Sequence, residues 1–164
     1  MFYRLIFVCA LILCSAPPFS AVAAGNSGLP IPRFVSLKSD EVNVRTGPGT
    51  RYPISWVYRR EGMPVEVIEE FDMWRKINDS EGTSGWVHKT MLDGKRNVII
   101  KGKKSQIVRK DHEKEAKPLL KVEPTVVCKL VECTRSWCRI HINGHKGWIE
   151  KTGIWGVYPD EIIE

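Results

Sequence analysis

The sequence predicts an all-β protein made of two small β units in tandem. Three observations lead to this prediction. A motif pattern occurs twice, short apolar–polar alternations are separated by glycine-rich turns, and no segment after residue 24 has the 3.6-residue period of an amphipathic helix. Alternation places every second side chain of a strand on one face, so such runs suit a small sheet with one buried side.

The first 24 residues are typical of a secretory signal peptide. A basic residue, Arg4, precedes an apolar run from Leu5 to Leu13, and the small residues A-V-A-A-G follow. Cleavage after Ala23 and cleavage after Ala24 fit the pattern equally well. The run is shorter than the roughly 20 residues needed to span a membrane. We therefore expect a periplasmic or secreted protein that does not span the membrane once the signal is removed.

Length and charge set broad limits on the rest of the chain. Without the signal, 140 of the 164 residues remain, and the formal charge falls from +6 to +5 because one arginine and no acid are lost. This length suits one ordinary domain or two very small ones. The positive charge favours anionic partners, although a role in solubility explains it as well. No cofactor and no specific nucleic-acid partner are expected.

The repeat consists of an alternating run, a polar turn, W-x-[KR]-I and then G-W-[VI]-x-K. The first copy reads P-V-E-V-I-E-E-F-D-M-W-R-K-I and S-G-W-V-H-K, and the second reads V-V-C-K-L-V-E-C-T-R-S-W-C-R-I and K-G-W-I-E-K. The tryptophans are 12 residues apart in the first copy and 11 in the second. Internal duplication explains both copies.

Turn and charge patterns divide the chain further. Asn78 to Gly85 and Asn143-Gly144 have the composition of hairpin turns. Asp93 to Lys117 carries nine lysines and arginines among 25 residues. Within it, we predict that V-I-I at 98–100 closes the first unit as a strand. The predicted organisation is a signal peptide at 1–24, a first unit at 31–100, a charged linker at 101–117 and a second unit at 118–164.

Read in order, N-V-R-T-G-P-G, P-V-E-V-I, M-W-R-K-I and G-W-V-H-K-T-M-L resemble the bacterial SH3 (SH3b) domain family. The resemblance covers about residues 34–100, and the second unit matches from Val126 onward. There A-K-P-L-L-K-V-E-P stands in the place of N-x-R-x-G-P-G, and a tail, I-W-G-V-Y-P-D-E, is added. The family implies two small, strongly bent SH3-like barrels of five or six strands. It also implies non-catalytic binding at the cell envelope, often to peptidoglycan or peptides.

Strand parity indicates which tryptophans are free to bind. Ile77 is expected to face the barrel interior, so Trp74, three residues earlier, faces outward. Trp137 has the same relation to Ile140. Ligand contact and cover by another part of the protein both remain open for these two rings. Trp86, beside a small aliphatic residue, is expected to be more structural but stays a candidate contact.

The long loop after N-V-R supplies further candidates. In SH3-like barrels this loop runs along the ligand groove, which implies that Arg45, Tyr52 and Trp56 lie near a ligand. A guanidinium with nearby aromatic rings suits a carboxylate-bearing peptide. Alternatively, Arg45 braces the loop backbone, a role that we also assign to Asn43.

Three cysteines remain after the signal. Cys133 and Cys138 flank a four-residue turn, and directly opposed hairpin positions lie within disulfide range. An exported protein favours the bond, so we predict Cys133–Cys138. The same register places Cys128 opposite Asn143, unpaired and buried.

Metal binding and catalysis are disfavoured. Cys138 and His141 are an odd number of residues apart on one strand, and no C-x-x-C pair accompanies them. No nucleophile lies in a recognisable elbow, and no pair of carboxylates can be assigned to a cleft. We therefore expect no metal site and no enzymatic activity.

The sequence thus predicts an envelope protein that binds a peptidoglycan stem peptide or a protein partner through a groove in the first unit. The second unit is expected to be a companion or a docking module that uses its tail. Two alternatives remain: a structural protein whose units pack their tryptophans together, or binding of anionic lipid or nucleic acid by Lys101, Lys103, Lys104, Arg109 and Lys110. The candidate ligand contacts are Arg45, Tyr52, Trp56, Trp74, Trp86 and Trp137.

Overall fold

The computed structural model describes residues 23–164, and its side chains from residue 25 onward. The predicted signal peptide therefore lies outside the described residues, except for its last two. Within this range no helix is long and apolar enough to cross a membrane. Two short 3-10 turns occur, at Lys89–Met91 and Lys151–Gly153. The strands are β1 (Ala23–Ala24), β2 (Pro30–Ile31), β3 (Arg33–Leu37), β4 (Val42–Arg45), β5 (Ile54–Tyr58), β6 (Pro64–Phe71), β7 (Trp74–Asn78), β8 (Ser84–His88), β9 (Leu92–Asp93), β10 (Asn97–Ile100), β11 (Gln106–Arg109), β12 (Pro118–Val122), β13 (Val127–Cys133), β14 (Trp137–Ile142), β15 (His145–Glu150) and β16 (Ile154–Trp155).

Two seven-stranded antiparallel sheets form the body of the protein, beside a small ribbon of β1 and β2. The first sheet has the order β5-β4-β8-β7-β6-β3-β9, and the second has the order β12-β11-β15-β14-β13-β10-β16. The two orders correspond strand by strand, so the second sheet repeats the topology of the first. The prediction of two small all-β units in tandem is confirmed.

Each sheet has its own apolar core. Alternating aliphatic residues from the central strands point to one side and are almost completely buried, as a half-buried strand requires. These residues include Leu37, Val42, Val65, Ile77 and Val87 in the first core, and Val98, Val108, Leu130, Ile140 and Ile149 in the second.

The prediction that V-I-I at 98–100 closes the first unit is wrong. β10 belongs to the second sheet, where Val98 lies opposite Cys128 and Ile100 lies opposite Ile154. The first sheet is closed instead by β9, which pairs with β3. Val98 and Ile100 are both buried in the second core. Their burial there, and not the charge of the neighbouring residues, determines that β10 belongs to the second sheet.

The segment 101–117 is not wholly a linker. It contains β11, which pairs with β12 and, through Arg109, with Trp148 of β15. Ile107 to Arg109 is therefore the counterpart of Asn43 to Arg45, and A-K-P-L-L-K-V-E-P contributes β12, the counterpart of β5. Val108 is fully buried, and this single inward residue anchors a strand within a run that reads as solvated charge.

The disulfide between Cys133 and Cys138 is as predicted, but the register of β13 and β14 before it is not. Cys133 and Cys138 are directly opposed, with their Cα atoms 4.1 Å apart, and form a disulfide. A β-bulge between Leu130 and Glu132 then shifts the pairing by one residue. Cys128 therefore does not lie opposite Asn143 as predicted, although it is free and buried. A bulge of this kind adds one residue to one strand and leaves no simple mark in the sequence.

The C-terminal tail connects the two sheets. Phe34 of β3 packs against Trp155 at a ring-centroid distance of 4.9 Å and against Tyr158 at 4.7 Å. The Tyr158 hydroxyl donates to Glu66 at 2.9 Å. Further along, Ile163 exchanges two backbone hydrogen bonds with Cys133. The aromatic residues of the predicted docking tail are therefore engaged within the protein itself.

Candidate functional site

The outward face of β7 and β8 carries the candidate site. Ile77 is buried in the first core, while Trp74 lies half-buried on the opposite face, as parity predicts. Trp74 pairs with His88 across the two strands, and their rings meet edge-to-face with centroids 5.4 Å apart. Such a pair presents a rigid apolar surface together with polar N–H groups.

A surface pocket of about 220 Å³ opens beside this pair. Its charged side chains are Glu41, which precedes β4, and Arg45, the last residue of β4, at the start of the long loop. The pocket therefore offers an aromatic wall and groups of both charges within a small space. Its lining residues are Glu41, Asn43, Arg45, Thr50, Trp74, His88 and Met91.

Arg45 braces the loop that follows it. Its Nη1 donates to the Thr50 carbonyl at 3.0 Å and to the Tyr52 carbonyl at 2.7 Å. Of the two roles left open by the sequence, bracing is present in the structure. A guanidinium has five N–H donors, so these bonds do not exhaust its capacity.

Tyr52 forms part of the same loop scaffold. A Cβ atom added to Gly47 would lie 2.5 Å from the Tyr52 ring, so the ring packs directly over that glycine. The Arg51 guanidinium lies 5.2 Å from the ring centroid. Tyr52 therefore shapes the loop from within and does not line the pocket beside Trp74.

Trp86 shares the outward face with Trp74 but is only 8% exposed. Its cross-strand neighbours are Arg45 on β4 and Lys76 on β7. Because β8 lies between these two strands, long side chains flank the indole on both sides. Trp86 is thus a largely buried ring between β4 and β7, in keeping with the more structural role expected for it.

The expectation that Trp137 is an outward contact is wrong, because its side chain is also only 8% exposed. Parity fixes the face that a residue occupies, not whether that face is covered. The end of the β13–β14 hairpin is closed by Lys151, whose N–H donates to Ser136, and by the bonds between Ile163 and Cys133. The bond from Lys151 has a counterpart in the first sheet, from Lys89 to Met73, but the tail residue Ile163 lies outside the repeat pattern.

Trp56 is exposed but lies elsewhere. Its side chain is 53% exposed and lines a cleft with Tyr58, outside the pocket of Trp74. The predicted single groove therefore divides into two surfaces, with Arg45 and Trp74 at one and Trp56 at the other.

His88 is the main contact that sequence reasoning missed. It lies two residues after Trp86, so alternation alone places it on the same face, beside Trp74. Its Nδ1 lies 2.8 Å from the Thr90 hydroxyl. Met91 belongs to a 3-10 turn, for which the repeat pattern gave no signal.

The second sheet repeats the frame of the site with different side chains. Arg109 corresponds to Arg45 and also braces its loop, donating to the Ala116 carbonyl at 3.0 Å. Glu150 pairs with Trp137 at the position where His88 pairs with Trp74. Across residues 25–164, no cluster of three or more His, Cys, Asp or Glu side chains could hold a metal ion.

The topology of each sheet and the position of its loop arginine agree with a match to a known family. The family described as bacterial SH3 domain matches residues 38–94 and 102–156. The chain belongs to the bacterial SH3 domain family. The second match includes β11, in agreement with the strand pairing and not with a linker at 101–117.

Other similar proteins are larger than these two bacterial SH3 domains. The chain is 33% identical over 87 residues, or 52% of its length, to a Bacillus subtilis (strain 168) protein named "Putative N-acetylmuramoyl-L-alanine amidase YrvJ", of which the match covers 15%. An NlpC/P60 family protein from Bacillus cereus ATCC 10987 is 14% identical with a TM-score of 0.34, over 74% of this chain and 55% of that one. NlpC2 from Trichomonas vaginalis is 10% identical with a TM-score of 0.35, over 76% and 48%. The chain thus spans about half of each solved structure and a small part of the amidase.

Proposed function

We propose that this protein is an exported, non-catalytic binding module of the bacterial cell envelope that associates with peptidoglycan. Membership of the bacterial SH3 domain family supports a binding role. The relative from Bacillus subtilis is named for the N-acetylmuramoyl-L-alanine amide bond, which is a bond of peptidoglycan. The signal-like first 24 residues support export.

The observation that carries the proposal is the pocket beside Trp74. Trp74 and His88 provide an aromatic wall, and Arg45 and Glu41 provide charges of opposite sign. A peptidoglycan stem peptide carries small apolar side chains, carboxylates and an amine, so each part of the pocket has a complementary group on the ligand. The role of Arg45 combines bracing of the loop with attraction of a carboxylate.

The test is co-sedimentation with purified peptidoglycan sacculi at low and high salt. Trp74→Ala removes the aromatic wall of the pocket, and Trp56→Ala is the matched control, since it removes an exposed indole from another surface. We expect the protein to pellet at both salt concentrations, Trp74→Ala to bind at least tenfold more weakly, as is usual for a central aromatic contact, and Trp56→Ala to pellet like the parent protein.

Three outcomes would contradict the proposal in different ways. A protein that stays in the supernatant at both salt concentrations does not bind the wall, and a protein partner becomes the leading ligand. Pelleting that disappears at high salt in every variant would indicate that the basic residues of the 101–110 region bind the wall electrostatically. Loss in Trp56→Ala without loss in Trp74→Ala would place the wall-binding site elsewhere.

A further inference from the structure

Trp56 points to the same side of β5 as a buried tyrosine but is itself exposed. It lies two residues from Tyr58 on the same face of β5, and the two rings are 6.3 Å apart. Tyr58 is 6% exposed, yet Trp56 is 53% exposed. A β-bulge within β5 turns Ile54, which is 47% exposed, to the opposite face, where it pairs with Arg45. A strand that leaves two large apolar side chains in water presents a surface suited to a partner.

β5 is also an edge strand. It pairs with β4 on one side and ends the first sheet on the other. The outer side of an edge strand presents N–H and C=O groups that can pair with another extended chain. The exposed side chains of Ile54 and Trp56, on opposite faces of β5, therefore lie beside a backbone edge able to accept a strand.

A cleft of about 400 Å³ lies next to this edge, between the two sheets. On one side are Trp56, Tyr58 and the turn after β7, and on the other are Ile99, Lys101 and Thr125. One contact spans the cleft, since Arg60 Nη1 donates to the Thr125 carbonyl at 2.7 Å.

The Asp79 carboxylate, on the acidic side of the cleft, is hydrogen-bonded within the protein. The Tyr58 hydroxyl donates to Asp79 at 2.8 Å, and the N–H groups of Glu81 and Thr83 donate to the same carboxylate at 2.9 and 2.8 Å. Burial and the bond to Asp79 raise the pKa of Tyr58 far above its ordinary value, so this hydroxyl remains a donor. Glu81 is thus the acidic residue of the lining that remains turned to solvent.

The basic side of the cleft is open. Lys101 and Arg60 line it and are exposed, and Lys103 and Lys104 follow in the same exposed loop. Arg60, Lys101 and Glu81 are the exposed charged residues that line the cleft, and Lys103 and Lys104 add positive charge in the loop that follows. The charge around the cleft therefore favours an anionic occupant.

We propose that this cleft is a second binding site, for an extended anionic peptide that adds to the edge of β5 and places an apolar side chain on Trp56. Backbone pairing with β5 supplies orientation, Trp56 and Ile54 supply apolar contact, and Lys101 with Arg60 attracts acidic side chains. The site is separate from the pocket beside Trp74 and does not depend on peptidoglycan association.

The test uses calorimetric titration of the full chain with a short peptide in which glutamate and leucine alternate. Control peptides carry lysine in place of glutamate, or N-methyl groups on alternate backbone nitrogens. Protein variants are Trp56→Ala, Lys101→Glu and, as the matched control, Trp74→Ala. Amide NMR spectra of the same samples identify the strand that the peptide contacts.

We expect the acidic peptide to bind and to shift the amide signals of Ile54 to Tyr58. Trp56→Ala should weaken binding about tenfold or more, Lys101→Glu should weaken it at low salt, and Trp74→Ala should leave it unchanged. The N-methylated peptide should bind poorly, because it cannot complete the ladder with β5.

Four results would overturn the proposal. They are absence of binding by the acidic peptide, equal binding of the lysine peptide, equal binding of the N-methylated peptide, and a concentration-dependent dimer through β5 that excludes the peptide. The last would show that a second copy of the chain occupies the edge. Trp74→Ala tests sacculus binding, and Trp56→Ala tests peptide binding. Failure of one proposal therefore does not imply failure of the other.

Discussion

Glu70 and Arg75 face each other across the β6–β7 hairpin at the position that the disulfide occupies in the second sheet. Glu70 pairs with Arg75 just as Cys133 pairs with Cys138, each pair enclosing a four-residue connection. In the first sheet the pair is a buried ion pair, with Arg75 Nε 3.0 Å from Glu70 Oε1. The same hairpin is thus closed by charge in one repeat and by a covalent bond in the other.

Glu70 gathers more contacts than its counterpart cysteine. The Ser27 N–H and hydroxyl each donate to it at 2.7 Å, and Arg33 Nη2 donates at 2.6 Å. Burial alone would raise the pKa of Glu70, but the hydrogen bonds from Ser27 and Arg33 and the charge of Arg75 outweigh it and lower the pKa to about 2. Glu70 therefore ties the segment before β2 to β3 and to the hairpin.

The first prediction concerns stability in acid. Because the folded-state pKa of Glu70 lies below its ordinary value of 4.5, this group stabilises the fold above about pH 4.5 and loses that contribution as the pH falls toward 2. The shift corresponds to on the order of 3 kcal/mol of unfolding free energy. Urea unfolding between pH 2 and 6 measures it. Glu70→Gln should flatten the acid dependence, and Glu81→Gln, at an exposed position, should not. Equal slopes for Glu70→Gln and the parent would contradict the assignment.

The second prediction concerns the disulfide. It closes a very short loop, so the chain-entropy model assigns it about 2 kcal/mol. Cys133→Ala/Cys138→Ala should lower the free energy of unfolding by that amount in urea, and reduction of the parent protein should have a similar effect. Cys128 provides the chemical control: burial raises the pKa of its thiol to about 11, so it should remain unmodified by alkylating reagents in the folded protein. An unchanged midpoint after reduction would count against a stabilising bond.

The sequence allowed prediction wherever one local rule decides the outcome. The four-residue turn between Cys133 and Cys138 sets their opposition, and the distance from Trp74 to Ile77 sets their faces. The Asn143-Gly144 turn is a further case, since both residues adopt positive φ and join β14 directly to β15. Each of these features depends on residues close together in the chain.

Features that depend on distant partners were not predictable in the same way. Val98 and Val108 lie among basic residues, and only the second core explains why they are buried. Parity does place Arg75 on the buried face of Ile77, but its partner Glu70 is recognised only when the hairpin register is known. Trp137 shows the converse, because its hairpin is bonded to the tail residue Ile163, which lies outside the repeat.

The third prediction concerns the contact between the sheets. Phe34 is buried between Trp155 and Tyr158, so Phe34→Ala should cost about 3 kcal/mol of unfolding free energy. Phe71→Ala is the matched control, because Phe71 is 56% exposed and surface substitutions usually change stability by about 0.5 kcal/mol or less.

Hydrogen exchange locates the effect of Phe34→Ala. The amides of Cys133 and Ile163, which bond to each other's carbonyls, should exchange faster in Phe34→Ala because the tail that carries Tyr158 loses its packing on the first sheet. If urea stability falls while both amides remain fully protected, Phe34 acts within the first core and not through the tail.

The last prediction concerns the loop between β4 and β5. A Cβ at Gly47 would lie 2.5 Å from the Tyr52 ring, whereas one at Gly49 would make an ordinary contact at 3.4 Å. Gly47→Ala should therefore displace Tyr52 and disturb the loop carbonyl that Arg45 holds, while Gly49→Ala should be tolerated. Sacculus co-sedimentation and urea unfolding measured together distinguish the effects. We expect Gly47→Ala to lower both wall binding and stability, and Gly49→Ala to leave both near the parent values. Equal behaviour of the two variants would mean that packing of Tyr52 on Gly47 does not set the shape of the pocket, and that the bonds from Arg45 hold the loop by themselves.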